Sequence, residues 1–478
     1  MNPAHPPPSQ GASSSARCTT ALTHILEELG LVTMYQSTRD VKFLCAQRFV
    51  RLFAYGGSTL ILAAYLSALG VTEDRIGLFM TLTLVGDVGI SFVLTLFADA
   101  MGRKAVLALG SVLMVGSGLV FALSGNFWVL LAAAILGVIS PSGNEIGPFR
   151  AVEESTLAHL TPSEDLPDVF AWYSLLGNAG TALGQLICGW LISSLQVLHG
   201  WAYIPSCRVI FLVYAGIGLV KLILTLALTH KVETEEKQQT REQRKNGETQ
   251  PLLADAPSSR REQDTSPNTG RTSLFSSIDK DLWSLVIRLF ILFGIDSFAS
   301  GLASLSWMTY FFHRKFNLPE GQLGTIFFFT SSISAASMLV ASSIAKRIGN
   351  IKVHNGLHPP PVRNLSISHL RPGSLPLALT FLVLRACSQN MDVAPRSAFL
   401  AAALPADKRT AIMGAVNVVK TTSQSLGPLL TGILARHHRF GGLVHGGGVV
   451  LKVMYDFGHV GHFWRERGGD EETGCTST

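Results

Sequence analysis

Seven charged side chains fall inside long apolar stretches of this chain: Arg51, Asp87, Glu145, Arg288, Asp296, Arg385 and Asp392. A charge at the centre of a membrane helix costs ~2.5–3.5 kcal/mol, so each needs an opposite charge or a water-filled path beside it. Carboxylates and guanidinium groups set in apolar helices suit the passage of a polar solute or a proton. Arg51, Glu145, Arg288 and Asp392 lie toward the cytoplasmic ends of their stretches, where snorkelling to the interface explains them equally well. Asp296 and Arg385 sit near mid-span and are expected to bind substrate or proton.

The elements that carry these residues are membrane spans. Of 478 residues, 47% are hydrophobic and only 15% charged, too apolar a balance for a soluble chain of this size. Apolar windows long enough to cross a bilayer occur at 43–69, 76–98, 105–124, 127–148, 168–195 and 207–229, then at 283–312, 322–345, 375–394 and 411–435. The net charge of +6 does not indicate a nucleic-acid partner, because the bases sit at the ends of apolar segments, where they set topology. They crowd the approach to the first span (Arg39, Lys42), the link at 99–104, residues 230–281 and the pairs Lys346-Arg347 and Lys408-Arg409, which places those regions and the amino terminus in the cytoplasm. The expected organisation is a disordered tail at 1–40, a bundle at 41–230, a disordered cytoplasmic linker at 231–281, a second bundle at 282–462 and a tail at 463–478. No cleaved signal peptide is evident in the Pro- and Ser-rich start.

Between the second and third spans runs Thr95-Leu-Phe-Ala-Asp-Ala-Met-Gly-Arg-Lys-Ala-Val-Leu107. So short a link forces an antiparallel hairpin; Gly102 tolerates the positive φ of a tight turn, and Arg103 and Lys104 hold that end inside. The stretch resembles the loop between helices 2 and 3 of the major facilitator superfamily, G-x-L-A-D-x-x-G-R-K/R-x-x-L. Asp99, Gly102, Arg103, Lys104 and Leu107 match, and Thr95 replaces the leading glycine. The resemblance implies an all-α membrane protein with two six-helix bundles in parallel repeat.

Internal repetition agrees. Val71–Gly77 aligns with Leu318–Gly324, and Leu183–Leu191 with Leu426–Leu434, at offsets of 247 and 243; Arg51-Leu-Phe53 recurs as Arg288-Leu-Phe290. The resemblance further implies that helices 1, 4, 7 and 10 line a central cavity, and six of the seven charges fall on them. Arg51 with Glu145 would mirror Arg288 with Asp392, each pair closing the cytoplasmic side in one state. Asp99 would sit against the positive end of helix 11, near Thr410–Gly414, as part of a conformational switch with Gly102, Arg103 and Lys104. The second copy places Lys346 at the position of Asp99 and keeps only the turn. Gly177, Gly180, Gly184 and Gly189 in the fifth span permit close helix approach. They resemble an antiporter pattern, but Gln185 stands where that pattern has proline.

The family plan breaks at two places. The counterpart of the third helix, near 352–371, contains three consecutive prolines and cannot cross hydrocarbon as a helix. The twelfth helix begins in a His- and Gly-rich segment, and its alignment with the sixth leaves the second half about a dozen residues short, so helices 9 and 12 are degenerate. Residues 353–374 and 436–448 are read as the product of misplaced exon boundaries or of an unspliced remnant.

No phosphate-binding loop argues for ATP-driven pumping, the six cysteines show no metal or disulfide spacing, and no catalytic constellation appears. The expected function is transport of a small organic solute by alternating access, with proton coupling, by a monomer without metal or cofactor. A transporter-like receptor or scaffold is the alternative. The expected location is the plasma membrane; Glu248-Thr-Gln-Pro-Leu-Leu253, a dileucine-type sorting motif, points instead to a vacuolar or lysosomal membrane.

Overall fold

The computed structural model of the chain describes residues 30–137, 139, 141, 148–162, 164–233, 280–348, 374–391 and 409–436. All regular structure there is helical. A short α1 (Leu31–Gln36) precedes α2 (Arg39–Ala68), α3 (Glu73–Met101), α4 (Arg103–Leu123), α5 (Phe127–Leu136), α6 (Pro148–Leu160), α7 (Leu166–His199) and α8 (Tyr203–Leu226). A second series follows as α9 (Lys280–Leu302), α10 (Leu305–Phe316), α11 (Glu320–Ile348), α12 (Leu375–Met391) and α13 (Arg409–Arg436). Helices 9 and 12 as read from the sequence, near 352–371 and from 437 onward, lie outside the described residues.

Local chemistry sets the helix ends. The Thr38 hydroxyl accepts from the Val41 amide at the start of α2, and the Asn126 side chain accepts from the amides of Trp128 and Val129 at the start of α5. The expected hairpin turn forms at Gly102, where φ is 93° and ψ 142°, values open to glycine and strained for other residues. Gly200 ends α7 in the left-handed region at φ 66°.

Two spans each carry two of these helices. Span 7 consists of α9 and α10, separated at Ala303 and Ser304. In span 4 the described helices are α5 and α6, and α6 runs twelve residues past the expected end at 148, because Phe149, Val152, Glu153, Thr156 and Leu157 form a buried stripe at helical spacing.

Within the first series α2 packs on α7 and α8, and α4 packs on α8; within the second α9 packs on α13, and α11 on α12. The two series meet along α3 with α13, α7 with α11, and α2 with α10. Glycines make those approaches possible. A Cβ at Gly77 would lie 2.6 Å from the Pro428 carbonyl oxygen, and one at Gly432 would lie 2.5 Å from that of Glu73. Gly324 and Gly189 make the same close approach to the Gln185 and Glu320 carbonyls. Gly77 and Gly324 are repeat equivalents at the offset of 247, and Gly189 and Gly432 at 243, so both seams are the same contact used twice.

Candidate functional site

Cross-bundle polar contacts among the described residues gather toward the ends opposite the basic loops. Glu73 at the start of α3 pairs with Arg314 near the end of α10, and Asp74 with Arg436 at the end of α13, 3.2 Å away. Hydrogen bonding from the Thr72 side chain, with the Arg436 guanidinium beside it, holds the Asp74 carboxyl below its usual range. Tyr310 Oη lies 3.1 Å from Ser67 Oγ, the Gly321 amide donates to Ser193 Oγ at 2.8 Å, and Trp190 Nε1 donates to Thr325 Oγ1 at 3.0 Å. Nearer the middle, Ser306 Oγ donates to the Thr59 carbonyl at 3.0 Å and the Ser306 amide to the Pro141 carbonyl at 3.4 Å. With the basic loops inside, this is a conformation closed on the outer side.

On the inner half of the first series lies a buried charge cluster. Arg51 Nη2 on α2 donates to Glu153 Oε2 on α6 at 2.6 Å. Tyr173 Oη on α7 donates to the same oxygen at 2.7 Å, and Lys221 Nζ on α8 lies 3.7 Å from Glu153 Oε1. The Arg48 guanidinium stacks 4.8 Å above the Tyr173 ring. Glu153 has no exposed surface and Lys221 only 1%. A carboxylate so deeply buried is tolerable because three cations and a phenol surround it.

Asp87 on α3 is different. It is 1% exposed, and neither carboxylate oxygen has a hydrogen-bond partner among the described residues. Arg51 is the charged group that acts on it electrostatically. The acid that Arg51 bonds is Glu153. Glu145, the expected partner, lies outside the described residues, as does Asp392. Glu153, Tyr173, Arg48 and Lys221 were not among the sequence candidates.

In the second series Asp296 is buried on α9, whereas Arg288 on the same helix is exposed. Arg385 on α12 reaches the interruption of span 7, where Nη2 donates to the Ala303 carbonyl at 3.0 Å and Nη1 lies against Met308 Sδ.

The hairpin at 99–104 joins the first series to its last helix. The Arg103 amide donates to Glu233 Oε2 at 3.0 Å, and Lys104 Nζ donates to the carbonyls of Leu226 and Leu228 at 2.8 and 2.6 Å, capping the end of α8. Asp99 belongs to the last turns of α3, and its side chain falls outside those described. Among the described residues no group of three His, Cys, Asp or Glu side chains has metal-binding geometry.

Comparison with known proteins adds four findings. Residues 44–356 match the profile of the Major Facilitator Superfamily. A Saccharomyces cerevisiae membrane protein, YJR124C, is 37% identical over 411 residues, covering 84% of this chain and 89% of the yeast protein. The Staphylococcus aureus quinolone resistance protein NorA is 26% identical over 170 residues, 36% of this chain and 40% of NorA. Among solved structures, a bacterial homologue of the human lysosomal transporter Spinster, inward-facing and occupied, superposes with a TM-score of 0.64 at 12% identity over 88% of this chain and 95% of that one.

Proposed function

Since the chain belongs to the Major Facilitator Superfamily and so moves a small solute across a membrane, we propose that this transport is proton-coupled, with Asp87 as the group that takes up the proton. The observation that carries the proposal is the buried Asp87 carboxylate, whose two oxygens lack partners among the described residues. An ionised carboxylate in that position is costly unless a cation turns to it.

In the outer-closed conformation Arg51 is committed to Glu153. Asp87 then carries a proton, and the proton neutralises it. Loss of that proton leaves a negative charge that draws Arg51 away from Glu153, while Lys221, Arg48 and Tyr173 continue to hold Glu153. The two arrangements of Arg51 give alternating access a local two-state element that a proton biases. The moving bodies are the bundles at 41–230 and 282–462, and the outer pairs Glu73–Arg314 and Asp74–Arg436 form and break with each cycle. The protein acts as a monomer. Its location follows the sequence expectation, the plasma membrane, and a fluorescent fusion that marks the vacuole instead would assign the Glu248–Leu253 motif a sorting role.

Asp87→Asn mimics the protonated state permanently. In proteoliposomes it is expected to abolish the acceleration of transport by a pH gradient and to preserve solute counterflow, which needs no net proton movement. Gradient-driven transport by Asp87→Asn equal to that of the unaltered protein would remove Asp87 from the coupling step.

A further inference from the structure

The interruption of span 7 has more chemistry than a hinge requires. Breaking a helix within an apolar span frees peptide groups that must find partners inside the protein. Most of them do. The Leu302 carbonyl accepts from Thr431 Oγ1 at 2.6 Å, the Ala303 carbonyl accepts from Arg385 Nη2 at 3.0 Å, and the Ser304 carbonyl accepts from the Met308 amide at 3.0 Å as α10 begins. A neutral side chain would satisfy the Ala303 carbonyl without bringing a full positive charge into the span.

Ser304 is the second observation. It is the N-cap of α10, where a serine ordinarily turns its oxygen to the amides of the first turn. Here the side chain makes no such cap bond. The residue is 2% exposed, and its hydroxyl has no hydrogen-bond partner among the described residues. Two neighbouring groups share its character as donors. The Arg385 guanidinium is bonded to the adjacent residue, and α10, twelve residues long, points its positive end at the same place. Guanidinium, hydroxyl and helix N-terminus together form the donor set that an oxyanion requires.

We propose that the break at Ala303–Ser304 is a subsite for the anionic group of the transported solute, and that the solute class is an organic monocarboxylate. One carboxylate oxygen takes a guanidinium N–H of Arg385 and the other takes the Ser304 hydroxyl, at the N-terminus of α10. The subsite borders the cross-bundle bond between the Ser306 amide and the Pro141 carbonyl. A solute bound there touches the contact between spans 4 and 7 that opening must break, which is where binding energy can bias the two conformations. The proposal rests on the carrier reading above but does not depend on Asp87 being the coupling group.

The test uses the full chain in lipid nanodiscs and measures thermal stabilisation at fixed ionic strength. The probes are benzoate, phenylacetate, hexanoate and octanoate, each paired with its neutral amide, with benzylammonium as a cation. At least one carboxylate is expected to stabilise the protein while its amide does not. Ser304→Ala should weaken that binding about tenfold and Arg385→Gln tenfold or more, since each removes a hydrogen bond to a charged group. Arg385→Lys keeps the charge and loses the fork, so it should fall between the unaltered protein and Arg385→Gln. Ser304→Ala and Arg385→Lys keep the question answerable if Arg385→Gln does not fold.

Equal stabilisation by acids and amides, no stabilisation by any acid, or full affinity in monodisperse Ser304→Ala and Arg385→Lys would overturn the subsite. Flux assays with the same probes separate this failure from failure of the carrier reading. Pumping of amides or of benzylammonium but not of acids overturns the subsite alone. Carboxylate binding lost in the variants, without flux of any probe, upholds the subsite and contradicts the carrier.

Discussion

Replacing Gly432 with alanine should force the outer side open. A Cβ at position 432 would lie 2.5 Å from the Glu73 carbonyl oxygen, 2.9 Å from Gly77 Cα and 3.0 Å from the Gly77 amide nitrogen. Comfortable contact begins near 3.4 Å, and all three atoms are helix backbone, so the relief available is separation of α13 from α3 by about 1 Å. Overpacking of this kind costs about 1–3 kcal/mol. Only the outer-closed conformation bears that cost, because the seam is parted in the outer-open one. At about 1.4 kcal/mol per factor of ten, the outer-closed population should fall roughly 5- to 150-fold relative to the open one. The gain in helix propensity from glycine to alanine, about 1 kcal/mol, applies to both conformations and cancels.

Spin labels at Ala68→Cys and Lys315→Cys, exposed positions on opposite sides of the seam, would read the change as growth of a longer-distance population. Gly77→Ala, Gly189→Ala and Gly324→Ala should act in the same direction, since they are the other members of the repeated contact. Gly184→Ala is the control. Its Cβ would run into the Phe53 carbonyl within one bundle, so it should lower stability without shifting the distance distribution. An unchanged distribution in folded Gly432→Ala protein would refute the assignment of this seam as the outer closure.

Glu153→Gln leaves Arg51, Arg48 and Lys221 without their shared carboxylate and should cost about 3–5 kcal/mol of stability, visible in thermal unfolding; Tyr173→Phe, which removes one hydrogen bond to that carboxylate, should cost about 1.5–3 kcal/mol. Asp99→Asn and Arg103→Ala should lower turnover while solute affinity is kept, because the hairpin holds helix ends through Arg103 and Lys104; full turnover in both would end the switch assignment. Sequencing of mature transcripts should find messages that replace 353–374 and 436–448, and messages encoding only the present sequence would refute that expectation.

The residues that were legible in the sequence are those whose meaning is local or periodic. Gly102 announced a positive-φ turn between two bases, and the structure places it at φ 93°. The repeat offsets identified Gly77 with Gly324 and Gly189 with Gly432, although nothing in one dimension says that Gly77 meets Gly432. Glu153 escaped because Arg150, Glu153 and Glu154 lower the mean hydropathy of their window, so span 4 was closed at 148. Its signal was periodicity: Phe149, Val152, Glu153, Thr156 and Leu157 recur at helical spacing and are all buried. Arg48, Tyr173 and Lys221 carried no comparable signal, since their role depends on three other helices converging on one carboxylate. The interruption of span 7 was equally silent, because Ala303-Ser304 reads as ordinary small residues in an apolar helix.

Proton coupling through Asp87 is tested most directly by measuring protons and solute together. Proteoliposomes loaded with pyranine, at equal pH on both sides, receive a solute gradient, and the internal pH is followed as the solute moves. The account predicts a solute-dependent pH change with the unaltered protein, proportional to flux, and none with Asp87→Asn, although counterflow continues in that variant. Solute flux without any pH change in the unaltered protein, or a full pH change with Asp87→Asn, would contradict it.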